Sequence, residues 1–201
     1  MSEFPLSPLG TLISSPIADG PHTTPDFLSE GIPFLSVDGI QDGELVFDKC
    51  RFISAEDHDE FSKKAKPQKG DILMGKAAST GKIALVRTDF EFSIWSPLAI
   101  IRSNSSIISD FLAFALKSIP AQIQIDNLCS YNTQKNIAMS DIPRIRIPLP
   151  PLETQQRIAD YLDRETAEID SLIADATRLR DLLLKRRSVL ITEVVTGRKQ
   201  V

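Results

Sequence analysis

The sequence predicts an α+β protein in which a globular domain with a twisted, mixed sheet precedes one long helix that forms a coiled coil with a partner helix. Short apolar runs separated by turn residues fill residues 1–150, as is typical of strands mixed with short helices. Pro148, Pro150 and Pro151 end that part, because proline is tolerated only in the first turn of a helix. No proline or glycine then interrupts the chain before Gly197. We therefore predict two parts, residues 1–150 and residues 151–201.

The elements of the first part follow from turn and cap residues. Residues 32–37 and 44–47 are predicted strands joined around Asp42-Gly43, a strong turn signal. Ser54 is expected to cap a short helix that runs through Lys64. Three further strands are predicted over residues 72–74, 83–86 and 97–102. Ser109 is expected to cap a helix through Lys117 that ends before Pro120.

The second part is a predicted helix over residues 151–195 with an apolar repeat near 3.5 residues, which keeps one seam facing a partner helix. The predicted interface consists of Leu162, Ile169, Leu172, Ile173, Ala176, Leu179, Leu183 and Leu190, with Leu182 widening the stripe. Three polar residues at seam positions, Glu165, Arg186 and Glu193, cost stability but can fix register. Such a helix is roughly 60 Å long, about twice the diameter of a small domain. We expect it to pair outside its own domain; the alternative is a helix lying across that domain.

Several segments together resemble the specificity subunits of type I restriction-modification systems. The segment Asp141-Ile142-Pro143 through Asp163 is similar to the family's junction between target-recognition domain and conserved helix, and residues 190–197 are similar to the end of that helix. Residues 31–35, 69–73 and 132–137 resemble motifs of its recognition domains in the same order. The resemblance covers essentially the whole chain. It depends on the order of motifs that are individually weak.

The resemblance implies a non-catalytic subunit that reads double-stranded DNA and directs modification subunits and, through them, restriction subunits. Family members usually carry two recognition domains and two helices, placed antiparallel, whereas this chain has one of each. It also has Phe4-Pro5-Leu6 where a tryptophan is often found. We therefore expect a half-length form, natural, truncated or engineered, that acts as a homodimer on a bipartite inverted-repeat site. The alternative is a partner-docking scaffold without DNA specificity.

Composition and motifs argue against several other classes of function. No apolar run approaches the ~20 residues of a membrane span, so we expect a soluble, cytoplasmic protein of a bacterium or archaeon without a membrane partner. Cys50 and Cys129 are isolated and the chain has only two histidines, so we expect no metal site. We place both cysteines in the core, and a disulfide is the alternative. The Asn/Asp-Pro-Pro-aromatic motif of adenine methyltransferases is absent. We expect no catalytic residues and no cofactor.

The net charge of −4 gives no overall attraction to phosphate, so the distribution of charge matters. Acidic residues crowd residues 38–60. The following stretch, 63–89, is basic, with only Asp71 and Asp89 opposing Lys63, Lys64, Lys66, Lys69, Lys76, Lys82 and Arg87. These lysines either contact DNA or solvate an ordinary surface. Of them, Lys63, Lys64, Lys76 and Lys82 are our predicted DNA contacts.

A loop, Gly75-Lys76-Ala77-Ala78-Ser79-Thr80-Gly81-Lys82, superficially resembles a nucleotide-binding loop. Five residues separate its glycines and Ile83 follows Lys82, whereas a P-loop needs four residues and then Ser or Thr after the lysine. We therefore predict no ATP site. Its glycines, lysines and the hydroxyls of Ser79 and Thr80 suit contact with DNA at a hairpin tip. The alternative is an ordinary exposed hairpin.

Two other polar segments complete the predicted DNA contacts. Asn and Gln side chains can pair bidentately with adenine, and Lys can reach guanine or phosphate. The segment at residues 130–136 therefore contributes Tyr131, Asn132, Gln134 and Lys135, although its composition is also common in turns. The loop at residues 19–24 contributes His22 and Thr23. A lone loop histidine is more often simply solvated, and that alternative stays open.

Overall fold

The computed structural model describes residues 3–131 and 134–200, and of Tyr131 it describes the backbone alone. The chain divides into a compact unit that ends at Ala159 and a second unit that begins at Asp160. The helices are α1 (Ala55–Ser62), α2 (Ser109–Lys117), α3 (Ile119–Leu128) and α4 (Leu152–Val195). The strands are β1 (Leu6–Pro8), β2 (Ala18–Asp19), β3 (Ile32–Leu35), β4 (Ile40–Gln41), β5 (Glu44–Leu45), β6 (Arg51–Ile53), β7 (Ile72–Gly75), β8 (Ile83–Leu85), β9 (Ser93–Ile94), β10 (Leu98–Ile101), β11 (Cys129–Tyr131), β12 (Lys135–Ile137) and β13 (Arg146–Pro148).

A four-stranded antiparallel sheet in the order β2-β10-β7-β8 lies between two apolar clusters. Side chains alternate across a strand, so Ile72 and Met74 join one cluster and Leu73 joins the other. Strands buried on both faces form continuous apolar runs in the sequence. The three strands predicted over residues 72–74, 83–86 and 97–102 are confirmed as β7, β8 and β10.

The turn at Asp42-Gly43 is confirmed, and the strands predicted over residues 32–37 and 44–47 are present in shortened form as β3 and β5, but the turn does not join them. Both residues have positive φ, 50° and 83°, as a tight hairpin turn with the twist of its strands requires. The hairpin joins β4 to β5, because a 3-10 turn at Val37–Gly39 redirects the chain first. Strand β3 lies instead between β6, which is antiparallel to it, and β9, which is parallel.

The short helices follow the predictions in part. Ser54 caps α1 as expected, its Oγ accepting a hydrogen bond from the Asp57 backbone N–H at 3.0 Å. Helix α2 has the predicted bounds, but Ile108 rather than Ser109 is its N-cap residue, and the Ser109 hydroxyl contacts that of Ser103 at 2.7 Å. Helix α3 was not predicted, because Pro120 was interpreted as a terminator and lies in its first turn.

The long helix α4 begins one residue after its predicted start and ends at the predicted residue, 44 residues in all. Within the compact unit, Gln155 is fully buried and its amide donates hydrogen bonds to the carbonyls of Pro150, at 2.8 Å, and Ser106, at 3.2 Å. From Asp160 onward the side chains of the apolar seam are largely exposed in the single chain. Leu162 is half-buried, and the other seam residues are exposed: Ile169, Leu172, Ile173, Ala176, Leu179, Leu183 and Leu190.

An ion pair beside the central sheet, in which the carboxylate is buried and the guanidinium is 33% exposed, connects the start of β7 to the end of β10. Arg102 donates from Nε and Nη2 to the two carboxylate oxygens of Asp71, each at 2.7 Å, and the Asp71 side chain is 2% exposed. The Gln68 backbone N–H also donates to Asp71, at 2.8 Å. Hydrogen bonding to Asp71 raises the pKa of Arg102 above its ordinary value. A charged pair thus stabilises the strand that leads into the candidate loop.

The two cysteines are free thiols and are half-buried rather than enclosed. Cys50 packs at the edge of one apolar cluster and Cys129 at the edge of the other. Burial raises the pKa of both thiols. The predicted core placement is therefore correct only in part.

Candidate functional site

The loop between β7 and β8 is folded tightly on itself. The Gly75 backbone N–H donates to the Lys82 carbonyl at 2.8 Å, and the Gly81 N–H donates to the Gly75 carbonyl at 2.9 Å. A Cβ on Gly75 would lie 2.5 Å from the Ser79 carbonyl oxygen, and Gly81 has a φ of +91°. The glycines are therefore required by the loop itself. At its tip, exposed Ala78 has a φ of +62°, which is uncommon for a residue with a side chain.

The second polar segment forms a hairpin, β11–β12, in which Ser130 pairs with Asn136 and Tyr131 with Lys135. Gln134 is exposed just before β12. Two predicted contacts, Asn132 and the Tyr131 side chain, lie outside the described residues.

The hairpin is attached directly to the loop. The Thr80 hydroxyl donates to the Lys135 carbonyl at 2.8 Å, and the Ile137 N–H donates to the Lys76 carbonyl at 2.9 Å. An isolated β-bridge pairs Ala77 with Asn136. Two segments separated by about fifty residues in the sequence thus form one polar surface. We call it the loop–hairpin surface: residues 75–82 together with the described residues of 129–137.

Asp19, which the sequence analysis did not select, gathers three of the predicted contacts. Its side chain is 9% exposed, and its carboxylate lies 2.5 Å from Lys64 Nζ, 3.2 Å from Lys76 Nζ and 3.2 Å from His22 Nε2. Burial alone would raise the pKa of Asp19, but hydrogen bonds and charge from Lys64 and Lys76 outweigh it and leave the pKa below its ordinary value. His22 is local to Asp19, but Lys64 and Lys76 come from distant segments, so the sequence did not indicate that this carboxylate pairs with them.

A depressed pKa makes folding stability depend on pH. Asp19 is expected to contribute stability above its unfolded-state pKa, near 3.8, and to lose that contribution as the pH falls through the lower folded-state value. In urea unfolding between about pH 2 and pH 6, Asp19→Asn should therefore be less stable than the unmodified chain at the upper end only. A difference that stays constant over this range would contradict the assignment.

The remaining predicted contacts are distributed around these groups. Lys63 is exposed and pairs with Glu60, and Lys135 pairs with Asp126. The Lys82 ammonium donates to the Ile40 carbonyl at 2.8 Å. Thr23 is exposed and Ser79 is half-buried.

Several cations of the basic stretch pair with carboxylates that lie outside residues 63–89. Lys66 pairs with Glu91 at 2.5 Å and Arg87 with Asp110 at 2.9 Å, both acids lying outside residues 63–89. Asp19 likewise comes from outside the stretch. The two carboxylates within residues 63–89 therefore understate the negative charge that opposes these cations. Exposed ion pairs are weak, so such lysines can still exchange a carboxylate for a phosphate.

A buried histidine in α1 was not predicted from the sequence. His58 in α1 is 4% exposed, and its Nδ1 lies 2.8 Å from the Ser93 hydroxyl. This contact joins α1 to β9, so its role is in packing. Among the described residues, no group of three or more His, Cys, Asp or Glu side chains is arranged to hold a metal ion. In the same part of the chain, no helix has the length and apolar character needed to cross a membrane.

Comparison with known proteins agrees with this architecture. Residues 23–175 match the family model described as type I restriction modification DNA specificity domain. The chain is 28% identical over 169 residues to the type I restriction enzyme EcoKI specificity subunit of Escherichia coli K12, covering 83% of this chain and 36% of that protein. It is 29% identical over 158 residues to the EcoBI specificity subunit of Escherichia coli, covering 78% of this chain and 33% of the relative. The chain thus spans well under half of each relative.

Solved structures share the fold. A chain from a type I R-M system superposes with a TM-score of 0.69 at 23% identity, covering 96% of this chain and 46% of that one. The HsdS subunit from Thermoanaerobacter tengcongensis gives a TM-score of 0.61 at 25% identity, covering 84% and 39%. The long C-terminal helix and the mixed sheets agree with these solved structures, and the matched residues agree with the family model. The chain belongs to the type I restriction-modification DNA specificity domain family.

Proposed function

We propose that this chain reads DNA sequence for a type I restriction-modification complex, with the loop–hairpin surface and the residues around Asp19 facing the duplex. One observation carries the proposal: three polar segments that were selected separately from the sequence lie together, joined through Lys76 to Asp19 and to Ile137. Residues 1–150 form the reading part, and residues 151–201 the dimerising helix and tail. The chain supplies recognition, while methyl transfer and cleavage belong to partner subunits.

Two classes of contact with DNA are expected from these residues. Phosphate contacts fix a protein on the duplex, and base contacts specify the sequence. His22, Thr23, Lys63, Lys64, Ser79 and Lys82 suit the first class. Gln134, which is exposed, suits the second, with Lys135 and the neighbouring Tyr131 and Asn132 as further candidates.

The exposed seam of α4 supports a homodimer. A run of apolar side chains from Ile169 to Leu190 is about half exposed or more in the single chain, including Leu172 at 66% and Leu179 at 58%. Two copies joined antiparallel by this seam, as in the two-domain chains of the family, would present two reading surfaces to a bipartite, inverted-repeat site. The helix pair would then set the spacing between half-sites.

A second set of exposed apolar side chains on α4 lies outside the seam and supports docking of another subunit. Leu184 and Ile191 are seven residues apart and Val195 follows four later, which places them on one face. They are 54%, 54% and 80% exposed. Modification subunits are the proposed occupants, with restriction subunits attached through them.

A docking scaffold without DNA specificity is the competing function. It is favoured by the net charge of −4 and by the carboxylates that oppose the basic stretch. Selection from random-sequence duplexes, with the chain and its modification subunit together, separates the two functions. Enrichment of a split, inverted-repeat motif is expected from a reading subunit. Binding without any enriched motif would contradict the proposal.

Phosphate contacts and base contacts should respond differently to substitution. Lys63→Ala and Lys64→Ala are each expected to weaken all sequences similarly and to reduce the salt slope by about one per contact. Gln134→Ala is expected to cost about 1–3 kcal/mol at one base pair of each half-site. Competition against singly substituted sites at several salt concentrations measures both effects. Equal loss across all sequences for Gln134→Ala would reassign this residue to backbone contact.

A further inference from the structure

One lysine of the loop connects three elements of the fold. The Lys76 backbone N–H donates to the Pro97 carbonyl at 2.8 Å, just before β10, and its carbonyl accepts from Ile137 of β12 at 2.9 Å. Its ammonium lies 3.2 Å from Asp19 at the end of β2. Any displacement of Lys76 is therefore transmitted to the strand that follows Gln134.

The Lys76 side chain is buried, unlike those of the lysines that suit phosphate contact. It is 11% exposed, against 56% for Lys64 and 71% for Lys63. A lysine that neutralises phosphate must bring its ammonium to the surface. The Lys76 ammonium lies beside the Asp19 carboxylate, whose side chain is 9% exposed. If the ammonium moved to the surface, it would lose this partner.

Thr80 fixes the same hairpin from the other end of the loop. Its hydroxyl contacts two carbonyl oxygens, that of Lys135 at 2.8 Å and that of Lys76 at 3.3 Å. The bridge between Ala77 and Asn136 lies between these attachments. The hairpin is thus held to the loop at both ends of its second strand, β12.

We propose that Lys76, anchored by Asp19, is a positioning residue that holds the β11–β12 hairpin and thereby directs Gln134 to its base pair. This role rests on the proposed DNA-reading function. Recognition of a base edge requires side-chain placement within about 0.5 Å, whereas attraction to phosphate tolerates larger shifts. Removing the anchor should therefore reduce sequence discrimination and leave the electrostatic part of binding intact.

The test uses Lys76→Met in the full chain, with its modification subunit, on the selected duplex and on a random-sequence duplex. We expect the ratio of the two affinities to fall at least about tenfold while the salt slope stays unchanged. The double variant with Gln134→Ala should lose less discrimination than the sum of the two single losses, because both changes act through the same hairpin. A salt slope reduced by about one, with uniform loss on both duplexes, would make Lys76 a phosphate contact and overturn the proposal.

Two further variants complete the test. Thr80→Val is close in shape and removes only the hydroxyl bonds, so it should also lower discrimination at unchanged salt slope even if Lys76→Met fails to fold. Lys69→Met is the matched control, because Lys69 pairs with Asp89 at 2.9 Å and should leave discrimination unchanged. Full discrimination in both Lys76→Met and Thr80→Val would overturn the positioning role alone. No discrimination by the unmodified chain would overturn the proposed function, and with it this role.

Discussion

A chain that carries both Leu172→Asp and Leu179→Asp is expected to be monomeric, whereas the unmodified chain is expected to be a dimer. The two leucines are 66% and 58% exposed in the single chain and lie one heptad apart in the seam. Burying a leucine contributes about 1.5–3 kcal/mol. A symmetric dimer buries each leucine twice, so four such contributions would be replaced by carboxylates facing an apolar seam.

Light scattering on the purified chains measures this directly. Ala167→Asp with Ala174→Asp is the matched control, because these alanines are also seven residues apart but lie on the opposite side of the heptad pattern. The control pair should leave the dimer intact. A monomeric unmodified chain, or a dimer that survives both leucine substitutions, would contradict pairing through this seam.

The polar residues of the seam are compatible with an antiparallel pair. In a pair centred midway along residues 160–195, Glu165 would lie opposite Leu190 of the second copy and Arg186 opposite Ile169. Glu165 would then be about one turn from Arg186 of the second copy, close enough for opposite charges to attract across the interface. Polar seam residues placed in this way favour one register over the others.

The helix and the central sheet could be predicted because each repeats a simple pattern over its length. Helix α4 carries its apolar repeat through many turns, and strands β7, β8 and β10 are continuous apolar runs buried on both faces. Strands of two residues, such as β2 and β9, are too short to show any period. Helix α3 was missed for a different reason, since a proline in a first turn and a proline after a helix look alike in sequence.

The candidate site was predictable in composition and not in arrangement. Clusters of Gly, Ser, Thr, Asn, Gln and Lys identified the loop and the hairpin as polar segments. The carboxylate that pairs with both Lys64 and Lys76 could not be identified, because Asp19 lies 45 residues from Lys64 in the chain and its pairing depends on the tertiary fold. Burial decides the roles of the lysines in the same way, and burial of a charged side chain has no local sequence signal.

A large loss of stability in the compact unit is expected from Arg102→Met. Arg102 makes two hydrogen bonds to Asp71, whose side chain is 2% exposed. Removing one partner of a fully buried ion pair leaves an uncompensated charge and typically costs about 3–5 kcal/mol. The Arg102 side chain is 33% exposed, so the cost here should lie below that range. The Gln68 N–H still donates to Asp71 and compensates only part of that charge. Asp71 precedes β7 and its loop. Under conditions in which the compact unit begins to unfold, the variant should therefore also lose DNA binding.

Urea midpoints at a constant m-value measure this cost. Lys69→Met is the control here too, since Lys69 and Asp89 are 61% and 79% exposed and such a pair contributes less than about 1 kcal/mol. Adding Asp71→Asn to Arg102→Met removes the uncompensated carboxylate and should recover part of the lost stability. Equal small effects for Arg102→Met and Lys69→Met would show that the buried pair contributes no more than an exposed one, and that another interaction holds β7 to β10.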